Sequence, residues 1–109
     1  MVLLSSAPTA EPPPAADGSD IGACFDGECE VSVSGPVRIP LDGRSGFDAV
    51  AVEAIEPNSV RFRVEYPNGF GTGSASPGGT VTFSNGTSGT KLTVVAIDAG
   101  TAVIKMFPA

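Results

Sequence analysis

The sequence predicts a small all-β domain: an antiparallel β-sandwich of about seven or eight short strands, with a small β-barrel as the alternative. From residue 21 onward, short stretches of alternating apolar and polar residues are separated by Gly, Pro and Asn, as in strands joined by turns. The helical signal is weak throughout, and the short connections favour antiparallel neighbours. We prefer the sandwich because the glycines lie mostly between strands, whereas small barrels usually place Gly or bulges within strands to turn corners.

Residues 1–19 are predicted to be a disordered Pro/Ala-rich linker, and residues 20–109 the β-sandwich domain. Pro8 and the three prolines at 12–14 stand among Ala, Ser, Thr and acidic residues without apolar periodicity. Such a composition cannot bury enough apolar surface to fold, and consecutive prolines hold the backbone near polyproline II. The linker is either a spacer that holds the domain away from a membrane, a cell wall or another domain, or a terminus without a role.

The only two cysteines, Cys24 and Cys29, flank Asp26-Gly27 symmetrically, which predicts a disulfide across a tight β-hairpin. Asp-Gly favours a type I′ turn, because both central residues need positive φ and Gly adopts it freely. The cysteines then form a non-hydrogen-bonded pair close enough for a disulfide. A disulfide that closes so short a loop contributes roughly 2 kcal/mol, so it stiffens one hairpin rather than holding the fold together.

The clearest strand is predicted at 60–66, where the apolar residues share one face and Arg61, Arg63 and Glu65 share the other. Another strand is predicted at 48–55, and the Glu-Pro-Asn-Ser sequence between the two supplies a turn. Together they predict a hairpin with one face in the core and the other in water.

A second hairpin is predicted at the C-terminal end, from the β-rich stretches 91–97 and 101–107. Asp98, Ala99 and Gly100 form a three-residue connection in which Gly100 takes the left-handed position. The first arm has apolar residues on both faces, which predicts a central strand covered on both sides.

Three more strands are predicted at 30–34, 37–41 and 80–84, each bounded by Gly, Pro, Asn or Asp. Pro40 cannot donate a hydrogen bond to a ladder, so it confines its strand to an edge or ends it. The Asn-Gly dipeptide at 85–86 is predicted to be the turn of a further hairpin.

The chain has six basic and twelve acidic residues, a net charge of −6, and no His or Trp. Nucleic acid and anionic membrane surfaces require a basic face, so neither is a predicted partner. Without His the chain lacks the commonest acid–base catalyst and the commonest zinc ligand, and a Ser-His-Asp triad is impossible. We therefore expect no enzyme activity, no cofactor and no metal. The spacing of the cysteines also differs from the Cys-x-x-Cys of redox centres.

The stretch 41–48 is the first candidate recognition loop. Asp42, Arg44, Phe47 and Asp48 bring two carboxylates, a cation and an aromatic ring, expected to be exposed, onto flexible backbone. Calcium could bind the carboxylates and a serine hydroxyl, but the EF-hand spacing is absent and the arginine places a positive charge there. The alternative is a connecting loop in which Asp42 caps a turn and Arg44 pairs with a carboxylate.

The glycine-rich stretch 68–79 is the second candidate, predicted to be a long mobile connection. It lacks the strand-to-helix context and the adjacent basic residue of a phosphate loop. Loops on a rigid sandwich often carry recognition, with Phe70 and the nearby Tyr66 as contact residues here. Phe70 could equally fold back onto the core.

The cysteines favour a disulfide in an oxidising compartment over a pair of reduced thiols. The Ala-, Gly-, Val- and Thr-rich, Lys-poor usage is typical of a GC-rich bacterial genome. We therefore expect a secreted or cell-surface bacterial domain, a mature fragment that lacks its signal or anchor and does not itself insert into a membrane.

No motif assigns an activity. The first hypothesis is a non-catalytic binding or spacer module whose partner is a protein or a cell-envelope ligand. The second is a small secreted inhibitor or ligand carrier that uses the stretch 68–79.

Overall fold

The computed structural model of the chain describes residues 15–109. They form one 3-10 helix, Ile21–Cys24, and eight strands. The strands are β1 (Cys29–Val33), β2 (Val37–Pro40), β3 (Ala49–Glu56), β4 (Ser59–Tyr66), β5 (Gly69–Ala75), β6 (Thr80–Asn85), β7 (Ser88–Asp98) and β8 (Thr101–Pro108). Residues 1–14, most of the predicted linker, lie outside the described part of the chain.

The strands form two four-stranded antiparallel sheets, in the orders β1-β8-β7-β6 and β2-β3-β4-β5. The predicted antiparallel sandwich is therefore confirmed. Within each sheet, strands that follow one another in sequence pair with each other, and β8 returns to pair with β1. A closed barrel would also need ladders from β1 to β2 and from β5 to β6. At these two points the chain instead crosses from one sheet to the other.

The core lies between the sheets and is built from the inward side of each strand. On β4, Val60, Phe62 and Val64 are fully buried, as the alternation predicts. Leu92 and Val94 of β7 belong to the same cluster. Full burial of one such side chain contributes about 1.5–3 kcal/mol, so this cluster is the main source of stability.

The stretch 68–79 is not the mobile loop that the sequence predicts, because most of it is the edge strand β5, paired with β4. Gly71 and Gly73 face the core, where the side chains of Val81 and Phe83 from β6 fill the adjacent space. A Cβ atom at Gly73 would lie 3.0 Å from a methyl carbon of Val81 and 3.1 Å from the ring of Phe83. The absence of side chains on β5 therefore lets the two sheets approach closely at this edge.

Both predicted hairpins, β3–β4 and β7–β8, are confirmed, and β7 is an interior strand of its sheet. The β7–β8 turn is shorter than predicted, because Asp98 pairs with Thr101 and leaves only Ala99 and Gly100 between them. Both residues have positive φ, 51° and 84°, as a type I′ turn requires.

Ala99 is the one non-glycine residue with positive φ in the described part of the chain. A left-handed alanine costs roughly 1 kcal/mol, because its Cβ approaches the following carbonyl oxygen. Ala99→Asn creates the Asn-Gly dipeptide that type I′ turns prefer, and is expected to raise the free energy of unfolding in urea by about 0.5–1 kcal/mol. Ser74→Asn, in a strand, is the control. An equal gain at both positions would contradict turn strain as the cause.

The three further predicted strands are β1, β2 and β6, each within one residue at either end. Pro40 is the last residue of β2, an edge strand, as predicted. The β6–β7 turn differs from the prediction, because Asn85 still pairs with Ser88 and the turn residues are Gly86 and Thr87. Gly86 has a φ of 69°, which suits the first central position of a type II′ turn.

Candidate functional site

Cys24 and Cys29 form the predicted disulfide, with an S–S distance of 2.04 Å and Cα atoms 4.9 Å apart. The predicted hairpin around it is wrong: Cys24 ends the 3-10 helix and Cys29 begins β1. Between them, the Gly27 N–H donates to the Cys24 carbonyl at 2.8 Å, and Asp26 Oδ1 accepts the Glu28 N–H at 3.0 Å. Of the two residues expected to have positive φ, only Gly27 does, so no type I′ turn forms.

A capped helical turn explains the difference. Asp20 Oδ1 accepts the Gly22 N–H at 3.0 Å and so satisfies a free donor at the start of the 3-10 helix. The right-handed conformation continues to Phe25, with φ −57° and ψ −34°. The helix contacts β1 and β2, so the disulfide fixes it at the side of the sandwich where the chain changes sheet.

Residues 15–19, the last part of the predicted linker, run along the edge of β1. The Asp17 N–H donates to the Glu30 carbonyl at 2.9 Å, and the Ser32 N–H donates to the Gly18 carbonyl at 2.8 Å. Asp17 Oδ2 also accepts the Glu30 N–H at 2.8 Å. These contacts use backbone groups that an edge strand otherwise offers to another molecule, so β1 is protected from edge pairing.

The loop 41–48 folds over one end of the core. Phe47 is 1% exposed, and the centroid of its ring lies 5.8 Å from that of Tyr66. The expectation that Phe47 is an exposed recognition residue is therefore wrong, because the apolar end of the sandwich buries it. Asp48 is exposed, and its carbonyl accepts the Leu41 N–H at 2.9 Å.

Asp42 and Arg44 contact each other within the same loop. Arg44 Nε lies 2.8 Å from Asp42 Oδ2 in an ion pair, and the Arg44 backbone N–H donates to Oδ1 at 3.0 Å. Asp42 thus caps the backbone of the loop with one oxygen and is ion-paired with Arg44 through the other, which is the arrangement of the connecting-loop alternative. Within residues 15–109, no three His, Cys, Asp or Glu side chains are grouped as metal ligands would be.

Three of the four arginines lie on the outer surface of the β2–β5 sheet. Arg38 and Arg63 flank Ala51 in one row across the sheet, and Arg61 lies in a nearby row. Phe70 of β5 lies on the same surface and is 56% exposed. We call Arg38, Arg61, Arg63 and Phe70 the arginine face.

Two residues of the arginine face are ion-paired. Arg38 Nε and Nη2 both donate to Glu65 Oε1, at 3.1 and 3.0 Å. Arg61 Nη2 lies 3.9 Å from Glu56 Oε2, and both side chains are more than half exposed. Exposed pairs of this kind contribute little to stability. They do lower the positive charge that Arg38 and Arg61 present to a partner.

Arg63 differs from both. No carboxylate of residues 15–109 lies within ion-pair distance of it, and its buried Nε has no hydrogen-bond partner among them. Its Cζ lies 4.1 Å from the centroid of the Phe70 ring, a cation–π contact of about 0.5–1 kcal/mol at an exposed site. Its cross-strand neighbours, Ala51 and Thr72, are small. Arg63 therefore presents an unneutralised charge beside an exposed aromatic ring.

Tyr66 is half-buried, and its hydroxyl donates to the Phe70 carbonyl at 3.4 Å, so the structure brings these two predicted residues together.

The sequence indicates that Arg61 and Arg63 point outward, but it gives no contact between Arg63 and Phe70. That contact depends on the register of β4 against β5, which pairs Glu65 with Phe70. The two-residue turn between Tyr66 and Gly69 sets this register.

A cavity of about 260 Å³ opens at the end of the sandwich that carries the loop 41–48. We call it the loop-end cavity, and its lining includes Asp26, Arg44, Ser45, Thr87, Ser88 and Pro108. Ser45 is 8% exposed, and its hydroxyl oxygen has no hydrogen-bond partner in the described part of the chain.

Comparison with known proteins finds no matching family model, no matching curated protein and no matching solved structure. No helix within residues 15–109 has the length and apolar character needed to span a membrane. The geometry of the arginine face and of the loop-end cavity is therefore what points to a function.

Proposed function

We propose that this chain is a non-catalytic binding module of an oxidising compartment, secreted or at the cell surface, which binds an acidic segment of a partner protein through the arginine face. The observation that carries the proposal is Arg63, which stacks on the exposed ring of Phe70 and has no ion-pair partner among residues 15–109. Two other arginines on this surface are paired, whereas Arg63 has no carboxylate partner in the described part of the chain and is available to a partner's carboxylate.

The chemistry of this pair matches a carboxylate that lies next to an apolar side chain. A guanidinium donates two parallel hydrogen bonds to a carboxylate, and these are stronger than neutral hydrogen bonds. The contact with Phe70 holds the guanidinium in place, which lowers the entropy lost on binding. The exposed part of the ring gives an apolar residue of the partner a surface to cover.

The net charge of −6 favours one binding orientation of an acidic partner over others. Like charges repel, so an acidic partner is disfavoured on most of the surface and favoured where the arginines concentrate. Binding is expected to weaken as ionic strength rises, because the charges involved are exposed and salt screens them.

The disulfide supports an oxidising compartment, because cytosolic proteins rarely keep such bonds. An inhibitor that presents Phe70 on a mobile loop has less support, since Phe70 lies in strand β5. A spacer role for the linker is compatible with binding by the domain.

The proposal is tested by titrating the protein with a short peptide of alternating Glu and Phe while recording its amide NMR spectrum. We expect saturable shifts at Arg63, Phe70 and Thr72. Arg63→Gln should weaken binding about tenfold, because a charge-assisted hydrogen bond is lost. The same peptide with Lys in place of Glu should give no saturable shifts at these three residues.

Lys91→Gln is the matched control, because Lys91 lies on the sheet opposite to the arginine face and the change in charge is the same. An equal loss of affinity in both variants would show a general charge effect and contradict the proposed face. Binding of polygalacturonate in place of the peptide would contradict a protein partner and favour a cell-envelope glycan.

A further inference from the structure

We propose that the loop-end cavity is a second site, separate from the arginine face, and that it binds a single neutral sugar unit. Three features carry this inference. The cavity is built by four chain segments that are hydrogen-bonded to one another, its lining includes a buried hydroxyl without a hydrogen-bond partner among residues 15–109, and its polar side chains include both donors and acceptors.

The segments around the cavity are linked by hydrogen bonds. The Asp42 N–H donates to the Phe25 carbonyl at 2.8 Å, which joins the loop 41–48 to the disulfide-bonded turn. Asn85 Nδ2 donates to the Gly46 carbonyl at 2.7 Å, which joins the same loop to the β6–β7 hairpin. The C-terminal end of β8 is held by the Ala109 N–H, which donates to the Gly89 carbonyl at 3.2 Å.

Gly46 makes this arrangement close and specific. Its φ is 91°, and a Cβ atom there would lie 3.1 Å from Cβ of Asn85 and 3.3 Å from Cβ of Ser88. Only glycine combines this conformation with so close an approach. The cavity is therefore formed before a ligand arrives, which reduces the cost of binding.

The hydroxyl of Ser45 is the second feature, because it is buried and has no hydrogen-bond partner among residues 15–109. A buried hydroxyl without a hydrogen bond is unfavourable, and native structures rarely leave one unsatisfied. Ser45 lines the cavity, and a serine side chain can change rotamer within its own volume. A ligand in the cavity can thus provide the partner that residues 15–109 do not.

The polar lining selects a neutral ligand with several hydroxyl groups. Arg44 only donates, Asp26 only accepts, and the hydroxyls of Thr87 and Ser88 do either. A sugar hydroxyl donates and accepts at once, so it satisfies all these groups. An anion would face Asp26, and Arg44 is already neutralised by Asp42. A cation, which needs acceptors, would find none on Arg44, whose guanidinium only donates.

The size and the remaining lining agree with one sugar ring. A volume of about 260 Å³ lies just below the range of about 300–1,000 Å³ for pockets that bind larger, drug-sized ligands. Pro108 gives the cavity an apolar wall against which the C–H face of a ring can pack. Neutral ligands of this size bind weakly, and we expect a Kd in the millimolar range.

The experiment records the amide NMR spectrum of the whole chain during titration with glucose, galactose or N-acetylglucosamine. Saturable shifts from at least one sugar, at residues 44–46 and 87–89, are expected. Ser45→Ala should weaken that sugar by about fivefold or more, while raising the melting temperature because the unpaired hydroxyl is gone. Ser84→Ala, on the exposed outer face of β6, should leave the affinity unchanged.

Arg63→Gln should bind the sugar as the original protein does, which keeps this test independent of the arginine face. Acetate and glycine serve as anionic and zwitterionic probes. The proposal is overturned if no sugar gives saturable shifts, if acetate or glycine binds more tightly than every sugar, or if Ser45→Ala leaves the affinity unchanged.

Discussion

Phe62→Ala is expected to lower the free energy of unfolding by about 3–5 kcal/mol, a large part of the total stability of a small domain. Phe62 is fully buried at the centre of β4, where its side chain joins the core between the two sheets. Truncation removes most of the apolar side chain from the core and leaves a cavity that the surrounding strands fill only partly. Urea unfolding with the m-value held constant measures the loss.

Phe70→Ala is the matched control, since it changes the same residue type on the neighbouring strand of the same sheet. Phe70 is 56% exposed and its ring contacts the Arg63 guanidinium, so a loss of about 1 kcal/mol or less is expected. Similar losses in the two variants would contradict the assignment of Phe62 to the core and of Phe70 to the surface.

The strands with alternating side chains could be predicted from the sequence. On β4, apolar residues at every second position fix which face is buried, because successive side chains point to opposite sides of a sheet. On β7 a bulge between Val94 and Ala96 interrupts the alternation of buried and exposed side chains. Apolar residues on both faces still indicate an interior strand.

The disulfide could be predicted, but the backbone around it could not. A six-residue segment closed by two cysteines can bring the sulfur atoms together through a hairpin or through a helical turn. Here the helical turn forms, and the side chain of Asp20 favours it by capping the 3-10 helix four residues before Cys24. The Asp-Gly dipeptide is a weaker signal than this cap, since Gly27 alone adopts positive φ.

The contacts of the arginine face could be predicted only in part from the sequence. The outward direction of Arg63 follows from strand periodicity alone, but its contact with Phe70 depends on an assignment of β5 that the composition obscures. Glycine lacks a side chain and therefore contributes no apolar periodicity, so residues 69–75 resemble a loop in sequence. Burial of Phe47 is equally hidden in the sequence, because it depends on how the loop 41–48 closes over the core.

Gly73→Leu, on β5, is expected to lower the free energy of unfolding by about 3 kcal/mol. This loss is at the upper end of the usual range for overpacking a core. The Cβ atom alone would lie 3.0 Å from Val81 Cγ2 and 3.1 Å from Phe83 Cζ. The rest of the leucine side chain would therefore have to displace β6. Thermal or urea unfolding measures the loss.

Two variants separate overpacking from a general intolerance of β5 to substitution. Thr72→Leu places the same side chain on the adjacent, exposed position, where a change within about 0.5 kcal/mol is expected. Gly71→Ala puts a Cβ atom 3.4 Å from Val64 Cγ2 and 3.9 Å from Phe83 Cδ1, which is ordinary contact, so it should also be tolerated. If Gly73→Leu were as stable as Thr72→Leu, the side chains of β6 could not be packed against this strand, and the close approach of the two sheets at β5 and β6 would have to be abandoned.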